Sequence, residues 1–161
     1  MSVTTTLSDL ADLFQGIDPD PSDPPLLVQI PGHEGVNLET FPAVVGWWDW
    51  TQDSQVEFHG DMHSHHRYHL LFYVLVGGSN TPIEELHSRL EPWPVAIGHA
   101  LFKHIALRGD VEFLGDGQGP LFTYRVGFWP LGPVTNGRAE QYFGLRFSLM
   151  VNEEAAESIG I

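Results

Sequence analysis

Five of the nine histidines fall in one short stretch: His59, His63, His65, His66 and His69. Neutral imidazole is the commonest protein ligand for transition metals, so metal chemistry is weighed first. His59-Gly60-Asp61 has the His-x-Asp form of one half of a two-histidine, one-carboxylate iron site. The missing ligand would have to be a distant histidine such as His99 or His104, and both fall on a predicted helix rather than a strand. His63-x-His65 has the form of a cupin His-x-His, but His69 stands where the following Glu is required. His59, Asp61, His63, His65 and His69 are therefore the candidate ligands of one alternative, a small metal-dependent enzyme of cupin or non-haem iron type. The preferred account is a solvated histidine-rich loop that runs into a strand.

Other catalytic chemistry finds less support. There is no cysteine, which excludes disulfides, thiolate metal sites and a thiol nucleophile. No Gly-x-Ser-x-Gly elbow is present, and Ser64 is a loop residue between histidines. Gly115-x-Gly-x-Gly119 lacks the lysine and following helix of a phosphate cradle, and a tight hairpin connection explains it. Glu84 and Glu85 suit the first turn of a helix. No catalytic residue and no cofactor is expected.

Trp47-Trp48-Asp49-Trp50 is the other unusual cluster. Three indoles in four residues cannot all enter one small core, so at least one is expected at a surface, where Trp is a frequent interface anchor. Trp47, Trp48 and Trp50 are candidate interface residues. Arg67, Arg125 and Arg146 fall on polar strand faces and join them as candidates for pairing with acids across subunits.

These residues need elements to position them. Thr6 is a candidate cap for a first helix, with Leu7, Leu10, Leu13 and Phe14 at helical spacing and Ile17 closing the stripe. The acidic, proline-rich stretch 18–25 reads as an extended linker. Leu26–Ile30 and Phe41–Trp48 read as strands, the second apolar on both faces. Residues 51–64 read as a loop or hairpin tip. His65–Val76 is the strongest strand, with Tyr68, Leu70, Phe72, Val74 and Val76 on one face and Arg67, His69, Leu71, Tyr73 and Leu75 on the other.

Thr81 as cap, Pro82 at the first helical position and Glu84 start a second helix. Pro92-Trp93-Pro94 breaks it, and a further helical stretch runs to about Leu107. Val111–Leu114 and Leu121–Trp129 are strands, the latter with Phe122, Tyr124, Val126 and Phe128 on one face. Residues 130–140 read as a mobile polar loop. Tyr142–Asn152 alternates: Phe143, Leu145, Phe147, Leu149 and Val151 face in, Arg146, Ser148 and Asn152 out. Glu153–Ile161 reads as a tail. Strands gathered around one central helical segment make this α+β: an antiparallel sheet with that segment and a short N-terminal helix packed on one face. A single domain over 1–161 is expected, its core spanning 26–152.

Composition bounds the function. The 161 residues carry 21 acids and 7 bases, a net charge of −14, which argues against gripping nucleic acid or an anionic membrane. Eight of the acids lie in residues 1–23 and 153–161, without a base among them. With 42% hydrophobic and 17% charged residues the chain has the composition of a globular protein. No apolar run is long enough for a membrane helix, the N-terminus lacks the marks of a signal peptide, and the absence of cysteine fits folding in a cytosol.

The whole pattern resembles the tail-terminator (tail-completion, head–tail joining) proteins of long-tailed bacteriophages. The resemblance is carried by the short first helix, Pro-Ala-Val-Val at Pro42–Val45, and the aliphatic strand ending in Gly-Gly at Leu70–Gly78. It continues with Leu-Arg-Gly-Asp-Val at Leu107–Val111, Tyr-Arg-Val-Gly at Tyr124–Gly127 and Tyr-Phe-Gly-Leu-Arg-Phe at Tyr142–Phe147. It spans roughly Leu7 to Val151. The histidine stretch, the Trp cluster and the loop over 49–64 depart from it. The resemblance implies a non-enzymatic structural protein of the virion tail or neck, assembled in the host cytoplasm. It implies a homo-oligomeric ring, a hexamer, at the head-proximal end of the tail tube. Its partners would be the tail tube protein and the head–tail connector, and DNA would pass through its lumen without specific binding. Another phage neck or head-completion protein is the neighbouring alternative.

Overall fold

The computed structural model describes residues 3–58, 60, 63–103, 113–114 and 120–156. In chain order the elements are α1 (Val3–Gln15), β1 (Leu27–Gln29), β2 (Ala43–Trp48), β3 (Gln55–Phe58), β4 (His63–Gly78), α2 (Ile83–Leu90) and α3 (Trp93–Lys103). Then follow β5 (Phe113–Leu114), β6 (Tyr124–Trp129), β7 (Val134–Thr135), β8 (Arg138–Ala139) and β9 (Tyr142–Ala156). The class is α+β, with an antiparallel-dominated sheet.

β4 and β9 are the spine. They pair antiparallel from His63 opposite Ala156 to Gly78 opposite Tyr142, with one register shift between Leu75 and Gly77. β2 and β3 both pair β4 on the flank away from β9. β5 and β6 both pair β9 on the flank away from β4. β1 adds to β2 in the single parallel pairing among the described residues.

The period of two in the sequence sorts the spine into two faces. On one, Tyr68, Leu70, Phe72, Val74 and Val76 of β4 join Phe143, Leu145, Phe147, Leu149 and Val151 of β9. The helices cover this face: Leu7, Leu10 and Phe14 from α1, Leu86 and Leu90 from α2, and Trp93, Ile97 and Leu101 from α3. Phe72 stacks on Phe147 at 5.3 Å between centroids, and Phe14 lies 5.4 Å from Phe72. Each such buried side chain contributes about 1.5–3 kcal/mol.

Among the described residues no helix packs on the opposite face. Val36, Leu38 and Leu131 come from loops to cover Val45, Leu71, Tyr73 and Leu75. Tyr142 holds this cover down: its hydroxyl donates to the Val36 carbonyl and accepts the Leu38 N–H, both at 3.0 Å. Beyond these loops the face is open and increasingly polar toward Arg67 and His65.

Several expectations need correction. α1 begins at Val3, so Thr6 is not its cap; Thr6 is buried inside the helix and its hydroxyl donates to Glu153. Thr81 is not the cap of α2, since Pro82 occupies that position and makes no side-chain cap bond. Residues 51–64 are not all loop, because β3 forms within them and β4 starts at His63. Residues 130–140 contain the β7–β8 hairpin, whose Asn136-Gly137 corner has φ of 53° and 79°. That is the Asn-Gly turn whose twist suits a two-residue hairpin. β9 continues through Ala156, so the tail does not begin at Glu153. Asn152 is buried rather than outward, with its Oδ1 accepting from Arg67. The helical stretch predicted beyond Lys103, and the Leu107–Val111 signature, lie outside the described residues.

Candidate functional site

The Trp cluster separates into three environments because β2 ends inside it. Trp47 points to the helix-free face and packs 5.5 Å from Tyr73. Trp48 points to the helix face and meets Tyr68 edge-on at 6.4 Å. Trp50, just past the strand, is 77% exposed. The turn that presents Trp50 is built on Asp49. Its buried carboxylate accepts the Thr51 N–H at 3.1 Å, the Thr51 hydroxyl, and Gln52 Nε2 at 3.2 Å. Gln52 also donates to Ser148 of β9 at 3.1 Å, which anchors the turn to the sheet.

Trp47, Trp50, Asp49, Tyr73, Arg146 and His33 line a groove of about 490 Å³ on the helix-free face. Arg146 lies over the Trp129 ring at 5.6 Å, and Trp129 meets Tyr73 edge-on at 5.7 Å. Burial pushes the Tyr73 phenol above its ordinary pKa, an effect that Arg146 partly opposes. The groove thus has aromatic walls, two acids in Asp49 and Glu34, and one exposed cation in Arg146; the Asp49 carboxylate is taken up by the turn it builds. Two of the three candidate tryptophans and one candidate arginine meet here. The other two arginines lie elsewhere: Arg67 donates from Nε to Asn152 at 2.8 Å, and Arg125 on β6 sits directly opposite Arg146 of β9.

The histidines disperse. Alternation places His65 and His69 on the helix-free side of β4 and His66 on the other, and His63 is the first residue of the strand. His65 and His69 are four residues apart along a strand, roughly 13 Å at the usual rise, too far to share one ion. Among the described residues no three His, Cys, Asp or Glu side chains are grouped to hold a metal. His59, Asp61 and His104 lie outside the described residues, and His99 lies on α3 beside Lys103, Leu13 and Ile17. His69 lines a cavity of about 310 Å³ with Gln52, Ser148 and Met150.

Sequence reasoning missed two features. The first is a buried polar knot on the helix face, where Glu153 Oε1 accepts the Tyr68 hydroxyl at 2.6 Å and the Thr6 hydroxyl at 2.8 Å. His66 Nδ1 lies 3.8 Å from Glu153 Oε2. Burial, reinforced by Glu153, pushes the Tyr68 phenol far above its ordinary pKa. This knot ties α1 to the far end of the spine.

The second feature is a pair of exposed apolar rows. On β3, Val56 and Phe58 are 58% and 68% exposed; on β6, Tyr124, Val126 and Phe128 are 49%, 45% and 39% exposed. Their register partners, His66, Ser64, Phe147, Leu145 and Phe143, place both rows on the helix face, but the helices do not reach them. The β6 row is visible in the sequence as an apolar alternation on one face. The Gln-Val-Glu-Phe alternation of β3 is the corresponding signal there.

No protein-family model matches the chain, and no curated protein matches it.

Proposed function

We propose that the chain is a structural component of the virion of a long-tailed bacteriophage, a tail terminator that assembles as a ring on the head-proximal end of the tail tube. The observation that carries this reading is the pair of exposed apolar rows on β3 and β6, which lie on opposite flanks of the β4–β9 spine. Two different sticky edges on one subunit favour a head-to-tail contact, and such a contact closes into a ring when the rotation allows it. Three further features support it. The first is the order of elements on which the resemblance rests. The second is the exposed Trp50, on the same flank as β3. The third is the net charge of −14, since an acidic duct lets DNA slide rather than bind.

The ring would end tube polymerisation and offer its outer face to the head connector. The test is native mass spectrometry and negative-stain microscopy of the purified chain, alone and with tail tubes of its phage. The expected result is a closed ring, hexameric, that caps one end of each tube and arrests its growth. A chain that stays monomeric at every concentration and is never retained by tubes overturns the reading.

A further inference from the structure

We propose that subunits join through a strand-to-strand junction, with β3 of one copy laid against β6 of the next, so that the sheet runs across the subunit boundary. Ring closure rests on the tail-terminator reading; the junction itself rests on the two edges. Among the described residues β3 is hydrogen-bonded only to β4, and β6 only to β9. Each therefore has one row of backbone N–H and C=O groups that no described strand pairs. Natural proteins usually blunt such edges with proline, lysine or a bulge. Neither β3 nor β6 contains a proline or lysine, and neither pairing carries a register shift.

The side chains of the two edges are complementary on both faces. On the helix face, Val56 and Phe58 of β3 would meet Val126 and Tyr124 of β6, in the antiparallel register that sets Glu57 opposite Arg125. All four are exposed in the single chain, and burying them removes the apolar surface that the helices leave open. On the other face, β3 offers Glu57 and β6 offers Arg125. Arg125 stands directly opposite Arg146 in register, so two cations face each other across the β6–β9 pair. Like charges so placed destabilise a ladder. Neither Glu57 nor Arg125 takes part in an ion pair among the described residues. A carboxylate arriving beside Arg125 supplies the countercharge that no described residue of its own subunit supplies. Apolar meets apolar and acid meets base only when the two different edges pair, which singles out a second copy of this chain as the occupant.

The chain has no cysteine, so engineered thiols report without background. Glu57→Cys and Arg125→Cys are made as separate variants, one isotopically heavy, mixed in equal amounts and oxidised mildly. Intact-mass measurement then identifies each disulfide-linked dimer. The junction predicts dimers joining Glu57→Cys to Arg125→Cys, with few joining like to like. Dimers of Arg125→Cys alone would mean that β6 pairs with itself and would overturn the proposal; so would the absence of any link.

A charge swap gives a second readout. Glu57→Arg and Arg125→Glu should each weaken association about tenfold or more, and the double variant should regain it, because each junction then carries the reversed pair. A double variant no better than the single ones counts against the junction. Unchanged melting of the isolated variants confirms that the folds are intact. Closed rings without the mixed link refute the junction and leave the tail-terminator reading standing. Open filaments that show the mixed link do the reverse.

Discussion

Glu153 is an acid that the sequence reading places in a tail and the fold buries. Only the Tyr68 and Thr6 hydroxyls, with His66 further off, answer its charge in the contacts described above. Removing a partner from a buried charged acceptor leaves it short of a hydrogen bond, at a cost of about 1–3 kcal/mol. Tyr68→Phe is therefore expected to lower the unfolding free energy by that amount at neutral pH, measured by urea denaturation. The same residue gives a pH signature. Its phenol pKa is raised in the folded chain, so the folded state keeps a proton that the unfolded state releases above about pH 10. Its contribution is intact below that pH and declines above it, by up to about 1.4 kcal/mol per pH unit. In Tyr68→Phe this alkaline slope should flatten; an equal slope in both proteins would show that Tyr68 does not carry it.

The spine strands owe their stability to close approach as much as to apolar side chains. A Cβ added at Gly144 of β9 would run into the Val74 carbonyl oxygen and come within 2.8 Å of the Leu75 Cα, both backbone atoms. Gly144→Ala is expected to cost about 1–3 kcal/mol or more, since the ladder has no flexible group to yield. Gly98 in α3 has nothing within 4 Å of such a Cβ, and Gly98→Ala should instead gain about 0.5–1 kcal/mol from helix propensity. Thermal melts of the two variants should move in opposite directions. The elements legible in the sequence are those with sustained alternation: the central stretches of β4 and β9 were assigned their faces residue by residue. What escaped lacked a local signal. The Glu153–Ala156 end of β9 has poor strand propensity and is extended because β4 offers it a partner. β3 is short, and its alternation is indistinguishable from chance until the pairing with β4 is seen. The caps at Thr6 and Thr81 failed in opposite directions: α1 is already helical at Val3, before Thr6, and α2 takes Pro82, after Thr81, as its cap.

At the scale of the whole molecule, the candidate surfaces were only half legible. The crowding of three indoles requires an exposed one, and Trp50 meets that requirement. The exposure of the β6 row is not legible, because an alternation says which residues share a face and not whether anything covers that face. Trp50→Ala is expected to leave the melting temperature nearly unchanged, as surface substitutions usually change stability by no more than about 0.5 kcal/mol. It should weaken ring formation or retention on tail tubes. Loss of folding, or assembly equal to that of the parent chain, would remove Trp50 from the interface.

The place of β9 in the chain has a consequence in time. β4 precedes β9, its longest partner, by all of residues 79–141, and among the described residues β5 and β6 join no strand but β9. Closing so long a loop costs entropy before any contact rewards it, and the spine cannot zip up from a hairpin. During synthesis β6 has no seat until β9 emerges and docks. A half-made copy therefore has no ordered β6 edge to offer its neighbours. If the junction is as proposed, the order of synthesis admits only finished subunits to the ring.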